Sequence, residues 1–140
     1  MKQLIQNFKT GELYVDEVPL PSLSGGKVLV ENAFSLISAG TERSTVKVAK
    51  ASLIGKAKQR PDLVAQVLQN IKKEGLKATI DKVRTKLDSL KALGYSTSGT
   101  VIASLDTDSK FKPGDRVACA GQDYASHAEL VAVPQNLVAK

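Results

Sequence analysis

The stretch that decides the fold is a charged turn that leads into a strand-like segment. It reads Phe111-Lys112-Pro113-Gly114-Asp115-Arg116-Val117. Proline and glycine are typical of tight turns, because proline fixes one backbone angle and glycine adopts conformations that other residues avoid. The residues that follow, as far as Ala120, are predicted to form a strand.

Other strand-like segments lie on both sides of this turn. They are Glu12–Val18, Lys27–Ala33, Gly99–Ala103 and Ala128–Val133. Each is short, apolar or alternating, and bounded by proline, glycine or polar residues, which is the pattern of strands in a β-rich fold.

The middle of the chain follows a helical period instead. Apolar residues recur at steps of three and four at Leu76, Ile80, Val83, Leu87 and Leu90, which places them on one helix face. A second apolar stripe begins at Leu63 and ends at Ile71. Pro61 suits the first turn of that helix and Gly75 its end. A weaker helix is predicted over residues 44–58.

The order of the elements is therefore strands, then helices, then strands. That order differs from the regular alternation of a parallel doubly wound sheet. It indicates a β-rich α+β fold, a barrel or a sandwich, with a helical insertion over residues 44–92.

The composition sets broad limits on the class of protein. The 140 residues are 42% hydrophobic and 24% charged, which is typical of a globular protein rather than a disordered one. A single cysteine, Cys119, excludes an internal disulfide and a multi-cysteine zinc site. No apolar run approaches the roughly 20 residues that span a bilayer, and the first residues lack the apolar core of a signal peptide. We expect a cytoplasmic protein with no membrane partner.

The charge is concentrated in the predicted insertion. From Arg43 to Lys91 there are 13 basic and 4 acidic residues, a net charge of +9, whereas the remainder has a net charge of −3. A basic segment suits an anionic substrate, a membrane surface or nucleic acid. No aromatic residue for base stacking lies between Arg43 and Lys91, which argues against nucleic acid.

Strong catalytic motifs are absent from the sequence. There is no G-x-G-x-x-G motif and no Walker A loop. The lone His127 suits a surface or hydrogen-bonded histidine, and Cys119 a buried thiol. Two hydroxyl-rich stretches, Ser38–Arg43 and Gly94–Gly99, are either the floor of a site or a helix cap and a turn.

Four stretches together resemble a known family. They are Lys27-Val28-Leu29-Val30, Gly40-Thr41-Glu42, the Gly94–Gly99 turn with the strand after it, and the 111–117 turn. The chain resembles the N-terminal GroES-like catalytic domain of the medium-chain dehydrogenase/reductase superfamily, which includes the zinc-type alcohol dehydrogenases. The resemblance implies a partly open β-barrel over residues 1–140. The insertion is similar to that of a subgroup of bacterial two-domain oxidoreductases.

The resemblance also shows where this sequence departs from the zinc-binding members. Ala39 stands where those members have a cysteine, and Tyr95 and Ser96 stand where they have histidine and glutamate. Zinc needs several nitrogen or sulfur ligands, which alanine, tyrosine and serine do not supply. We therefore expect no catalytic or structural zinc.

The matched positions supply the candidate site residues. We expect Thr41, Tyr95 and Ser96 to be catalytic, as hydroxyl groups that handle the substrate proton or a developing alkoxide. The substrate cleft is expected to be lined by Gly40, Glu42, Arg43, Tyr124 and His127.

The resemblance implies a second domain as well. In the family NAD or NADP binds to a Rossmann domain that follows this one, and we expect that domain to be absent from this chain. The complete protein is then expected to oxidise a small alcohol or reduce a carbonyl, with sugar-related compounds among the candidates, and this chain alone is expected to be inactive. The alternatives are an anion- or nucleic-acid-binding module that uses the basic insertion, or a structural element that forms a homo-oligomer.

Overall fold

The computed structural model describes residues 1–51, 53–59, 61–87 and 90–140. Its strands are β1 (Lys2–Asn7), β2 (Leu13–Glu17), β3 (Lys27–Ser35), β4 (Leu90–Ala92), β5 (Ser96–Ser104), β6 (Arg116–Ala120), β7 (Leu130–Pro134) and β8 (Val138–Ala139). Its helices are α1 (Ala39–Lys50), α2 (Leu53–Gln59), α3 (Pro61–Glu74) and α4 (Leu76–Leu87), with a short 3₁₀ turn at Gln135–Leu137.

The described residues form two compact units. The first contains residues 1–5, 14–42 and 92–140, and the second contains residues 6–13 and 43–91. The first unit is built on an antiparallel sheet with the strand order β7-β3-β5-β6-β8. This open half-barrel is the GroES-like architecture that the resemblance predicted, so the expected β-rich α+β fold is confirmed.

Strand β3 is the centre of the half-barrel. It pairs with β7 on one side and with β5 on the other. Its alternate residues Val28 and Val30 are fully buried, at 0% exposure, in a core that they share with Val101 of β5 and Val133 of β7. Alternation of side chains between the two faces of a strand produces this pattern, and it explains why the valine-rich segment at residue 28 predicted a strand correctly.

The charged turn of residues 111–117 is held by its own backbone and by Asp115. The N–H group of Gly114 bonds the carbonyl oxygen of Val101 at 2.9 Å, and the Asp115 carboxylate accepts the N–H group of Lys112 at 2.7 Å. That bond, together with the ammonium group of Lys140 at 2.7 Å, holds the pKa of the Asp115 carboxyl below its ordinary value. Gly114 has a φ of +94°, a conformation that favours glycine.

The second unit carries most of the predicted insertion. Helix α3 begins at Pro61 and ends before Gly75, whose φ is +86°, as the sequence predicted. At the junction the Thr79 hydroxyl donates to the carbonyl oxygen of Gly75 at 2.8 Å. Helices α3 and α4 leave Leu68 and Leu76 exposed, so their apolar stripes are only partly covered within the chain. Among the described residues, no helix is long and apolar enough to cross a membrane.

Some predicted boundaries were wrong. The weaker helix was expected from residue 44, whereas α1 begins at Ala39. Most of the stretch Ser38–Arg43, expected to be either the floor of a site or a helix cap, is therefore helical. The Glu42 carboxylate accepts the N–H group of Ser38 at 3.3 Å, which resembles a capping box, in which a first-turn glutamate bonds back to the residue before the helix. Residues 52, 60, 88 and 89 of the predicted insertion, and the Leu87 side chain, lie outside the described part of the chain.

The close approach of β5 to β3 yields the first prediction. A Cβ atom at Gly99 would lie 1.9 Å from the carbonyl oxygen of Glu31. Because a backbone atom cannot move aside without disturbing the strand pair, Gly99→Ala is expected to destabilise the chain by about 3 kcal/mol or more, measured by urea unfolding. Gly25→Ala is the control, since its nearest neighbour would be an Asp106 oxygen at 3.6 Å. Equal stability of the two variants would contradict the observed pairing.

Candidate functional site

The two stretches that carry the candidate residues meet at one end of strands β3 and β5. The N–H group of Leu36, just beyond β3, bonds the carbonyl oxygen of Ser96 at 2.9 Å. Helix α1 starts three residues later, at Ala39. Strand pairing therefore brings the start of α1 to the residues around Tyr95, although more than fifty residues separate them in the chain.

A buried acid–imidazole pair lies at this junction. The Nε2 atom of His127 is 3.2 Å from each carboxylate oxygen of Glu42. The side chains are only 9% and 12% exposed, respectively. An ionised carboxylate can only accept hydrogen bonds, so the imidazole tautomer that fits this geometry has its proton on Nε2 and donates a hydrogen bond to Glu42. A pair this well shielded from water interacts more strongly than an exposed one.

The backbone of His127 is held from two sides. Its N–H group bonds the carbonyl oxygen of Leu93 at 2.8 Å, and its carbonyl oxygen accepts the N–H group of Leu4 at 2.9 Å. The Asn32 amide donates to the carbonyl oxygen of the next residue, Ala128, at 2.8 Å. Strands β1 and β3 and the segment before β5 thus fix the position of the imidazole.

Gly94 packs closely against the backbone and the imidazole ring of His127. A Cβ atom there would lie 2.7 Å from the backbone nitrogen of His127 and 2.9 Å from ring atoms Cγ and Nδ1. Gly94 also has a φ of +94°. Only glycine permits both this conformation and this close contact. The Nδ1 atom is buried and has no hydrogen-bond partner within the described residues.

The predicted site residues fall into two groups. The structure brings Glu42 and His127 into direct contact and places Gly94, the residue before Tyr95, against the imidazole. Thr41 lies exposed in the first turn of α1, next to Glu42, as does Gly40. The side chains of Tyr95 and Ser96 are half-buried. Their catalytic roles stay predictions.

The other two cleft candidates have different surroundings. Tyr124 is exposed on one side, and the Nζ atom of Lys27 lies 5.6 Å from its ring centre, within the range of a cation–π interaction. Arg43 is exposed and begins the long segment of the second unit. Their contribution to a substrate cleft also stays a prediction.

Sequence reasoning missed Asn32, which holds the segment that carries His127, and Ser38, whose N–H group bonds Glu42. An asparagine in a valine-rich strand is a weak signal for such a role. The helix start at Ser38 was readable, because serine is a preferred residue before a first helical turn.

Cys119 has the surroundings of a structural thiol. It lies on β6 opposite Thr97 of β5 and is buried, and burial raises its pKa. The thiolate is the reactive form of cysteine, so burial and the raised pKa both disfavour reaction of this thiol. Its buried position is the one that the sequence predicted.

The residues around the pair do not fit a zinc ion. Ala39 offers a methyl group, and Tyr95 and Ser96 offer hydroxyls, whereas protein zinc sites use thiolate, imidazole and carboxylate ligands. Of these ligand types the pair supplies one imidazole and one carboxylate. Across the described residues, no group of three or more His, Cys, Asp or Glu side chains could hold a metal ion. Independence from zinc stays a prediction about the complete protein.

With this geometry, the first unit has the fold of a GroES-like domain of the alcohol dehydrogenase-like oxidoreductases. Solved structures similar to it include an alcohol dehydrogenase superfamily protein from Novosphingobium aromaticivorans, with 19% identity and a TM-score of 0.61 over 100% of this chain and 34% of that one. Galactitol-1-phosphate dehydrogenase from Escherichia coli has 16% identity and a TM-score of 0.62 over 99% of this chain and 37% of that one. At sequence identities of 16% and 19%, the similarity to these two proteins shows a shared fold only.

A third similar structure contains a cofactor. It is the mycobacterial protein Rv1454c complexed with NADPH, with 17% identity and a TM-score of 0.58 over 100% of this chain and 32% of that one. The chain thus spans about a third of the length of each of these proteins. No protein-family model and no curated protein sequence matches the chain.

The contact between Gly94 and His127 yields the second prediction. Gly94 and Gly114 both have a φ of +94°, but a Cβ atom at Gly114 would meet nothing within 4 Å. Alanine at either position is strained by the positive φ. Only Gly94→Ala also collides with His127. We expect Gly94→Ala to lower the free energy of unfolding by about 1–3 kcal/mol more than Gly114→Ala does. Equal losses in urea titrations would show that Gly94 does not contact the imidazole.

Proposed function

We propose that this chain is the substrate-binding and catalytic domain of an alcohol dehydrogenase-like oxidoreductase that uses NAD or NADP and no zinc. The observation that carries the proposal is the largely buried Glu42–His127 pair. Glu42 follows Thr41 in the chain, and His127 lies against Gly94, the residue before Tyr95 and Ser96. The GroES-like fold and the NADPH in one structural neighbour support the same reaction class.

A nicotinamide cofactor, held by another part of the complete protein, would supply the hydride chemistry. The role left to this chain is to bind the substrate and to handle the proton of its hydroxyl group. Thr41 and Tyr95 have hydroxyl groups that can donate and accept such a proton. The dipole of α1 favours negative charge at the start of the helix. It therefore favours a developing alkoxide there without a metal ion.

The surface beside this helix start is apolar. Phe34, near the end of β3, is 77% exposed, and Leu36 and Ile37, between β3 and α1, are exposed as well. Exposed apolar patches of this kind mark binding surfaces. We assign this one to the cofactor-binding part of the complete protein and to the carbon chain of the substrate. The fold shared with galactitol-1-phosphate dehydrogenase makes sugar-related alcohols the first substrates to assay.

Removing the two hydroxyl groups tests the proposal. In the complete protein, assayed with NAD and NADP against sugar alcohols and simple alcohols, Thr41→Val or Tyr95→Phe is expected to lower kcat about a hundredfold. Tyr14→Phe is the control, because Tyr14 lies on the exposed strand β2. Wild-type turnover in both site variants would refute the two assignments, and no hydride transfer by the wild type with either cofactor would refute the function.

A second candidate function rests on the charge of the helical unit. The lysines of α3 and α4 at positions 72, 73 and 77 are exposed, within a segment of net charge +9. Clustered exposed cations attract anionic ligands over several ångströms. The absence of aromatic residues between Arg43 and Lys91 favours an anionic glycan or sugar nucleotide over nucleic acid.

This candidate predicts binding that depends on salt. Affinity for a fluorescent polyanionic glycan is expected to fall steeply with salt, and Lys72→Gln or Lys73→Gln should each lower the slope of log affinity against log salt by about one. Lys110→Gln is the control, since Lys110 is an exposed lysine of the other unit. Equal slopes for all three variants, or no binding at low salt, would exclude the helices as an anion site.

A further inference from the structure

We propose that His127 is a positioning residue for the start of α1. By donating from Nε2 to the Glu42 carboxylate, it fixes the helical turn that carries Gly40 and Thr41 beside the beginning of strand β5. The catalytic meaning of this positioning rests on the proposed function, whereas the positioning itself is a property of the described structure.

The bond geometry supports a restraint on the helix rather than an isolated contact. Nε2 of His127 is equidistant from the two Glu42 oxygens, at 3.2 Å, and one of those oxygens also accepts the N–H group of Ser38 at 3.3 Å. The N–H group of Glu42 bonds the carbonyl oxygen of Ser38 at 2.9 Å. Glu42 therefore links the imidazole to both ends of the first helical turn.

His127 is fixed independently of α1. Its backbone bonds are to Leu4 and Leu93, its ring lies against Gly94, and the next residue is held by Asn32. A side chain whose own backbone is held this firmly can position a partner. The imidazole is therefore the fixed member of the pair and Glu42 the positioned one.

Because the pair is largely buried, removing one partner leaves the other with too few hydrogen-bond partners. Without the imidazole donor, the Glu42 carboxylate would remain largely buried and retain only the N–H group of Ser38 among the described hydrogen-bond donors. A buried carboxylate with too few donors is costly, so the first turn of α1 is expected to open and to bring Glu42 into contact with water.

The direct test uses the imidazole spectrum of the chain, whose single histidine gives one set of signals. In ¹⁵N-labelled protein we expect a protonated Nε2 and an unprotonated Nδ1 with no exchange between the two tautomers. Glu42→Ala should abolish this preference, whereas Glu17→Ala, at an exposed position of β2, should leave it unchanged. An imidazole that averages between tautomers in the wild type would overturn the proposal.

Amide exchange separates positioning from general stability. His127→Leu is expected to speed exchange at the Glu42 amide at least tenfold more than it speeds exchange at the amides of the core residues Val28 and Val101. His127→Gln supplies a side-chain N–H group at about the reach of Nε2 and should restore slow exchange at Glu42. Equal acceleration at all of these amides would leave a role in overall stability only and would overturn the proposal.

Turnover of the complete protein then connects positioning to catalysis. We expect His127→Leu to lower kcat about tenfold with KM within twofold of the wild type, and His127→Gln to recover most of that loss. An active wild type with an equally active His127→Leu variant overturns the positioning role in catalysis. An inactive wild type refutes the proposed function, and the spectrum and the amide exchange still decide whether His127 positions α1.

Discussion

The structure depends on strand β3, whose backbone is bonded to β5 on one side and to β7 on the other. Two constraints follow from this central position. The alternate residues Val28 and Val30 must be apolar because both lie in the core. Gly99 of β5 must lack a side chain, because the carbonyl oxygen of Glu31 occupies the space that a Cβ atom would need.

The candidate site is a consequence of the same pairing. Strand β3 ends where β5 begins, so the residues that follow Ser35 lie beside those that precede Ser96. His127 reaches this junction through bonds to Leu4 and Leu93. The half-barrel thus brings together a helix start, a glycine with positive φ and an imidazole from three separate parts of the chain. That arrangement shields an acid–imidazole pair next to an exposed threonine hydroxyl.

Local sequence patterns predicted the elements well and the site less well. Valine-rich segments predicted β3 and β7, Pro61 and Gly75 predicted the limits of α3, and the turn at residues 111–117 predicted the start of β6. Each of these depends on neighbouring residues only. The start of α1 was placed five residues too late, because the small and hydroxyl-bearing residues of Ser38–Arg43 suited the floor of a site as well as a helix cap.

Local sequence patterns could not predict the contact of Glu42 with His127. Both residues were expected in the cleft through a resemblance, but 85 positions separate them, and neither periodicity nor spacing relates residues so far apart. The role of Gly94 was hidden for the same reason, because it depends on which ring packs against it. Tertiary pairing of strands, rather than any motif, created the site.

The coupling between Glu42 and His127 tests this account most directly. Unfolding free energies of the wild type, Glu42→Ala, His127→Leu and the double variant form a double-mutant cycle. If the pair holds the first turn of α1 as described, the interaction energy is expected to be about 1–3 kcal/mol. Losses that add to within about 0.5 kcal/mol would show that the two side chains act independently and would contradict the account.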